Sequence, residues 1–423
     1  MTFPIAPRVR SAASTDPAVI WSPDYLSYRL SAEHPMNPAR LALTMALSTE
    51  LGLLDGIETV RPTVPSDGEL MRIHSADYLA AVRDPAGKIE YGLGSDDNPV
   101  FEGMHDSSAL LVGGSLAGAR AIAGGRTDKA VNIGGGMHHA MPGQAAGFCV
   151  YNDAAIAISW LLDNGFDRIA YIDVDVHHGD GVQRAFVHDP RVLTVSIHQH
   201  PATLWPNTGW PAEIGYGDAE GTAINIAVLP GMGDGPWLRA FHAVVPGAVR
   251  AFKPQIIVSQ CGADSHREDP LADLALTVDA HKASYQAMRD LADEVADGRW
   301  LALGGGGYGL VQVVPRSWTH LIATALGVDV PADAATPADW RALAETTRVG
   351  LPADMVAGVT VPTTMGETGP PHFLRWDGGR GAGGTDPGAD RVQRDLARID
   401  SAIFDTRSNI YPLLGLDPED PRD

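Results

Sequence analysis

Residues 168–181 read Arg168-Ile-Ala-Tyr171-Ile-Asp173-Val-Asp175-Val-His177-His178-Gly-Asp180-Gly181. The apolar lead-in predicts a buried strand over 169–175. Alternate side chains of a strand share a face, so Asp173, Asp175 and His177 are expected to point the same way at its carboxyl end. Val174 and Val176 would pack behind them. The glycines at 179 and 181 then turn the chain out of the sheet. Two carboxylates and an imidazole buried side by side are costly unless a cation compensates them. Carboxylate oxygen and imidazole nitrogen suit Zn²⁺, or Fe²⁺ in a similar shell. A strand end held by salt bridges alone is the plainer alternative, and it explains two acids and two histidines within eight residues less well.

Working outward, other apolar runs end in chemistry-bearing residues. A strand over 130–133 leads into Gly134-Gly-Gly-Met-His138-His139, where the glycines let the backbone approach something closely. A strand over 192–197 ends Ser196-Ile197-His198. Another over 256–260 runs into Cys261-Gly-Ala-Asp264, and one over 301–303 into Gly304-Gly-Gly-Gly-Tyr308. Helical stretches separate them, over 38–54, from Ser75, over 107–123 and over 152–162. This is the βαβ rhythm of a parallel sheet, with its site at the strands' carboxyl edge. The stretch 84–106, containing Asp96 and Asp97, lacks periodicity and reads as a surface loop. His74, taken alone, reads as structural.

The boundaries that follow are an N-terminal arm (1–17), a catalytic domain (18–327) and a C-terminal extension (328–423). The extension turns Pro- and Ala-rich, with a flexible loop over 378–390. Its last helix carries Val392, Leu396, Ile399 and Ile403 on one face. No chemistry is visible in these last hundred residues.

Composition narrows the function. A net charge of −21 over 423 residues argues against nucleic acid or anionic membranes as partners. The two cysteines, Cys149 and Cys261, give no disulfide framework and suit a reducing compartment. With neither an apolar leader nor an 18-residue apolar run, a soluble, cytoplasmic protein is expected. The oligomeric state is left open.

The strand-end parts make a coherent set. Asp175 and His177 need a third ligand, and Asp264 suits because Gly262-Ala263 allows close approach. His138 and His139 need carboxylates at Nδ1 to fix tautomer and basicity, with Asp173 and Asp180 as the spare acids. Tyr308 offers a phenol to a developing oxyanion. Together they activate water, polarise a carbonyl and protonate a leaving amine, which is amide hydrolysis.

The motifs Gly-Gly-Gly-Met-His138-His139-Ala, Gly-Phe-Cys-Val-Tyr-Asn152-Asp153, Tyr-Ile-Asp173-Val-Asp175-Val-His177-His178-Gly-Asp180-Gly, Gln-Cys-Gly-Ala-Asp264 and Gly-Gly-Gly-Gly-Tyr308 together resemble the zinc-dependent histone deacetylase superfamily. Among its branches the chain most resembles the class I-like bacterial acetoin utilization deacetylases. The resemblance spans about residues 18–325. It implies an arginase/deacetylase-type α/β fold, a central parallel sheet flanked by helices, and hydrolysis of acetyl-lysine in a protein or peptide substrate. It makes Asp175, His177 and Asp264 the zinc ligands, His139 with Asp180 the proton shuttle, and His138 with Asp173 its electrostatic partner. Tyr308 becomes the oxyanion tyrosine. Phe148 and Trp205, with Gly147 and Leu271 beside them, become the acyl-lysine tunnel, Asp97 a rim acid and Arg40 an inner-channel arginine. A structural potassium ion is implied at Asp173, Asp175, His177, Ser196 and Ile197.

Departures are Trp205, where phenylalanine is commoner, and Ser265-His266-Arg267-Glu268, which would place an imidazole and two charges at the rim. A two-metal ureohydrolase would need an Asp-His pair after the first glycine strand and a second metal-binding aspartate two residues past Asp264, where this chain has His138-His139 and His266. Hydrolysis of small acetylated amines or polyamines remains an alternative substrate reading. A non-catalytic acyl-lysine binder would have no use for Tyr308 and both histidines.

Overall fold

The computed structural model describes residues 17–57, 59–353, 355–378 and 391–423. The N-terminal arm and the loop 378–390 fall, save one residue each, outside them. Among the described residues, eight strands form one sheet: β1 (Ala18–Ile20), β2 (Thr59–Val60), β3 (Lys129–Asn132), β4 (Ile169–Asp173), β5 (Val192–Gln199), β6 (Ala223–Val228), β7 (Ile256–Gln260) and β8 (Trp300–Leu303). Every pairing is parallel and the order is β2-β1-β3-β8-β7-β4-β5-β6.

Parallel strands covered on both faces read as continuous apolar runs, and β4 is buried at all five positions. Its alternate residues serve two cores. Ile169 and Tyr171 pack with Ala130, Val258 and Leu301 against helices Met104–Ala123 and Asp153–Asp163. Ala170 and Ile172 face the opposite core, with Trp237 and Phe241 of helix Asp234–Phe252 and Trp318 of helix Val314–Leu326. Helices therefore flank both faces.

The register aligns the strand ends. Asp173 lies opposite Ser196 on one side and Gln260 on the other. Gln260 lies opposite Leu303, and Leu303 opposite Asn132. Four central strands, β3, β8, β7 and β4, thus release their loops from one line across the sheet, and the candidate residues other than Ser196 and Ile197 of β5 leave from near that line.

Two expectations need correction. β4 ends at Asp173, so Asp175 and His177 are not strand residues. Their shared direction comes from two successive side-chain turns: Asp173 Oδ1 accepts the Asp175 amide at 3.1 Å, and Asp175 Oδ1 accepts the His177 amide at 3.0 Å. In the final helix, Arg391–Ile410, Val392 is exposed. The expected Ile399 and Ile403 are buried, joined by Ile410, on the side packed against helix Asp234–Phe252 and β6, while Leu396 is half-buried. β6, which the sequence reading passed over, is a fully buried six-residue run.

Candidate active site

His177 Nδ1 lies 3.2 Å from Asp175 Oδ1 and 3.2 Å from Asp264 Oδ2. The donor atoms of these three residues all fall within 4.8 Å of one another. The remaining carboxylate oxygens are already engaged. Asp175 Oδ2 accepts from the Gly306 amide (2.8 Å) and Gln260 Nε2 (2.6 Å), and Asp264 Oδ1 accepts from the Val176 amide (2.9 Å). A Cβ on Gly262 would collide with Asp175 Oδ2, and one on Gly306 with Asp264 Oδ2.

One imidazole nitrogen cannot satisfy two fully buried carboxylates facing it. Burial and the charge of Asp175 push the Asp264 carboxyl up to about 6. The set thus holds more negative charge than its imidazole neutralises, and its O, N, O donors suit a divalent cation. The residues present fit such an ion.

The His138-His139 turn is held from below. Helix Asp153–Asp163 starts with a buried carboxylate that accepts the amides of Gly136 (3.0 Å) and Met137 (2.7 Å). Asn152 Nδ2 reaches the carbonyls of His138 and Ala140. Gly136 has φ 91°, and a Cβ there would meet the Gly304 carbonyl.

From this turn His138 Nδ1 sits 2.8 Å from Asp173 Oδ2, and His139 Nδ1 sits 2.7 Å from Asp180 Oδ1. Asp173 Oδ2 also accepts the Tyr171 hydroxyl at 2.7 Å. Burial opposes charge on His138, but Asp173 and Asp175 outweigh it and raise its imidazole to about 9. At His139 burial, then the neighbouring His138 and His177, hold the imidazole well below its ordinary value. Burial lifts its partner Asp180 to about 6.

Tyr308 follows a glycine run in which Gly305 and Gly307 have φ 148° and 136°. Its amide donates to Asp269 Oδ2 at 2.7 Å, and burial keeps its phenol protonated well above the ordinary range. Arg40, buried, donates to the Gly307 carbonyl at 2.9 Å and lines a small inner cavity with Met36, Leu111, Gly134 and Met137.

The expected tunnel residues surround the same spot. Phe148 meets the Tyr308 ring edge-on at 5.6 Å, and Trp205 meets the His139 ring at 4.6 Å. Gly147 is packed so close beneath Trp205 and His139 that a Cβ would strike both. Leu271 is half-buried, its amide on Asp269 Oδ1. Asp97 is exposed beside His34, whose ring stands edge-on to Phe148 at 4.4 Å. Ser196 lies opposite Asp173 on β5, with Ile197 next, and its hydroxyl engages His198 Nδ1 at 2.9 Å.

His266 does not reach the rim: it is fully buried and bonded to Glu367 at 2.8 Å. Only Arg267 and Glu268 of that group are exposed. The sequence reading also passed over Asp153, Gln260 and Asp269, whose carboxylate and amide groups position the glycine loops. Asp153 and Gln260 stood inside quoted motifs, whereas Asp269, before a proline, carries only the signature of a turn. His74 is structural as expected, accepting the Asn152 amide.

A metal-type donor set, two histidine–aspartate pairs and a phenol converge at the carboxyl edge of a parallel α/β sheet. The histone deacetylase domain matches residues 34–325, and the chain belongs to the histone deacetylase family. It is a histone-deacetylase-like chain of the acetoin utilization type. It is 40% identical over 321 residues to the acetoin utilization protein AcuC of Bacillus subtilis (strain 168), covering 74% of this chain and 83% of that one. The AcuC protein of Staphylococcus xylosus is 38% identical over 328 residues, covering 76% and 85%. The crystal structure of a histone deacetylase homolog from Aquifex aeolicus superposes with a TM-score of 0.76 at 26% identity, covering 91% of this chain and all of that one. A histone deacetylase homolog complexed with SAHA superposes at 0.74 and 28% identity, covering 86% and 96%. The fold is therefore of the arginase/deacetylase type. Among the described residues no helix is long and apolar enough to cross a membrane.

Proposed function

We propose that this chain is a metal-dependent lysine deacetylase, hydrolysing the side-chain amide of acetyl-lysine in proteins to free lysine and acetate, in the service of acetoin utilization. The observation that carries the reading is the convergence of three metal-type donors with two differently tuned histidine–aspartate pairs and a neutral phenol. Asp175, His177 and Asp264 would hold Zn²⁺, or Fe²⁺, which supplies an electrophile for the carbonyl and acidifies water.

The chain's own groups account for the proton traffic. His139, kept neutral and oriented through Nδ1 by Asp180, takes a proton from water at Nε2 and returns it to the departing lysine nitrogen. His138, kept charged beside Asp173, stabilises negative charge built up next to it. The Tyr308 hydroxyl donates to the former carbonyl oxygen as it gains charge. Gly147, Phe148, Trp205 and Leu271 enclose the acyl-lysine chain, Asp97 takes substrate backbone at the rim, and Arg40 lines the exit below. A potassium ion at Asp173, Asp175, His177, Ser196 and Ile197 would brace the metal-bearing turn.

Turnover of an acetyl-lysine peptide against N-acetylated polyamines tests the substrate. The peptide is expected to be the better substrate, with Phe148→Ala raising its KM while leaving metal content unchanged. Preference for the polyamine would replace protein lysine by a small amine. No turnover of either by metal-loaded chain would leave an acyl-lysine binder.

A further inference from the structure

The metal-side loop is held from a distant part of the chain. Residues 363–369 cross helices Val278–Val295 and Val314–Leu326 as a strap. The amides of Glu367, Thr368 and Gly369 all donate to Asp279 Oδ2, at 2.9, 2.8 and 3.1 Å. Arg316, buried on the second helix, donates to the carbonyls of Thr364 and Gly366. Gly366 is packed so tightly that a Cβ would collide with Asp279. The strap therefore has a fixed height over the helices; Met365 is buried in the core beneath it, and a second side chain, a charged one, also points inward.

That side chain is Glu367. Its Oε1 lies 2.8 Å from His266 Nε2 and 2.9 Å from Arg316 Nη2, and its Oε2 pairs with Arg267 at 2.6 Å. His266 Nδ1 accepts the Glu268 amide at 3.1 Å, so its Nε2 is the protonated nitrogen and Glu367 the acceptor. Three bonds run from His266 to the reaction centre. Its own amide bonds back to Ala263, beside Asp264. Its carbonyl accepts the Asp269 amide at 2.9 Å, and the Asp269 carboxylate accepts the Tyr308 amide at 2.7 Å. Asp264 and Tyr308 are thus tied to the backbone of the same residue, His266, whose imidazole is in turn held by Glu367.

We infer that Glu367 is a positioning residue for the deacetylation centre: by fixing His266 it sets both Asp264 and the backbone of Tyr308. This rests on the roles assigned above to Asp264 and Tyr308. A stable fold alone does not need the arrangement, since Asp279 and Arg316 hold the strap without the His266 bond. Groups that orient metal ligands from outside typically cost ~10–100-fold in metal affinity or activity when lost.

The test uses the full chain with Glu367→Ala, Glu367→Gln and His266→Asn. Asn can still accept the Glu268 amide while reaching nothing on Glu367, so it isolates the bond should the alanine variant fail to fold. Arg239→Lys, which disturbs the Arg239–Asp400 ion pair away from the site, controls for lost stability. Amide exchange in metal-free protein is read at Asp269 and Tyr308, and Zn²⁺ affinity by competition with a chelator. Glu367→Ala and His266→Asn should speed exchange at both amides and weaken Zn²⁺ binding by ~10–100-fold. Glu367→Gln, which keeps an acceptor, should restore most of both, and Arg239→Lys should change neither. Exchange and affinity equal to wild type in His266→Asn would overturn the inference. Exchange does not depend on metal or turnover, so loosened amides in a chain whose wild type neither binds Zn²⁺ nor deacetylates would instead fault the functional reading.

Discussion

His138–Asp173 and His139–Asp180 are built from the same side chains with nearly the same Nδ1–carboxylate distances, 2.8 and 2.7 Å, yet they hold protons oppositely. The first lies deeper, where Asp175 adds a second negative charge 3.8 Å from His138 Nε2. That imidazole is raised to about 9. The second lies beneath Trp205 and faces two other imidazoles, which with burial keep it neutral. Only a neutral imidazole can take a proton from water, so surroundings alone divide one motif into a base and a fixed charge. Adjacent positions on one turn thus acquire different work from what lies behind them.

That division can be broken by three substitutions, assayed on an acetyl-lysine peptide. His139→Ala removes the base and should lower kcat/KM by ~10²–10⁴. Tyr308→Phe, which leaves both pairs intact, should lower kcat by ~10²–10³ with KM and metal content nearly unchanged, because its bond matters chiefly in the transition state. His138→Ala should cost less, ~10–100-fold, as a supporting group does. If His138→Ala proves the more damaging of the two, the roles are exchanged. Near-full turnover in Tyr308→Phe would remove the oxyanion donor from the mechanism.

The parts of this site were legible because buried parallel strands are apolar runs and their ends carry the unusual residues. Asp173, Asp175, His177 and Asp264 could be found that way, although the strand alternation invoked for the first three ends at Asp173. Side-chain turns continued the pattern that the ladder did not. β6 was missed although Ala223–Val228 is apolar save for Asn225, since no chemistry marks its end. His266 misled in the other direction. Next to two charges it reads as surface, and nothing nearby reveals a partner 101 residues on. Local periodicity predicts which face is buried, but it does not predict which distant carboxylate will be buried with it. The final helix shows the same limit, for its stripe is right in period while Val392 lies beyond the surface it packs on.

The account stands on three donors from two strand ends holding one divalent ion. Metal content per chain, measured by elemental mass spectrometry on wild type and Asp264→Ala with circular dichroism to confirm the fold, tests it directly. Asp264 was chosen because its removal leaves both histidine–aspartate pairs in place. One zinc or iron per wild-type chain, lost from a folded Asp264→Ala, is the result predicted. Equal occupancy in the two proteins would contradict it.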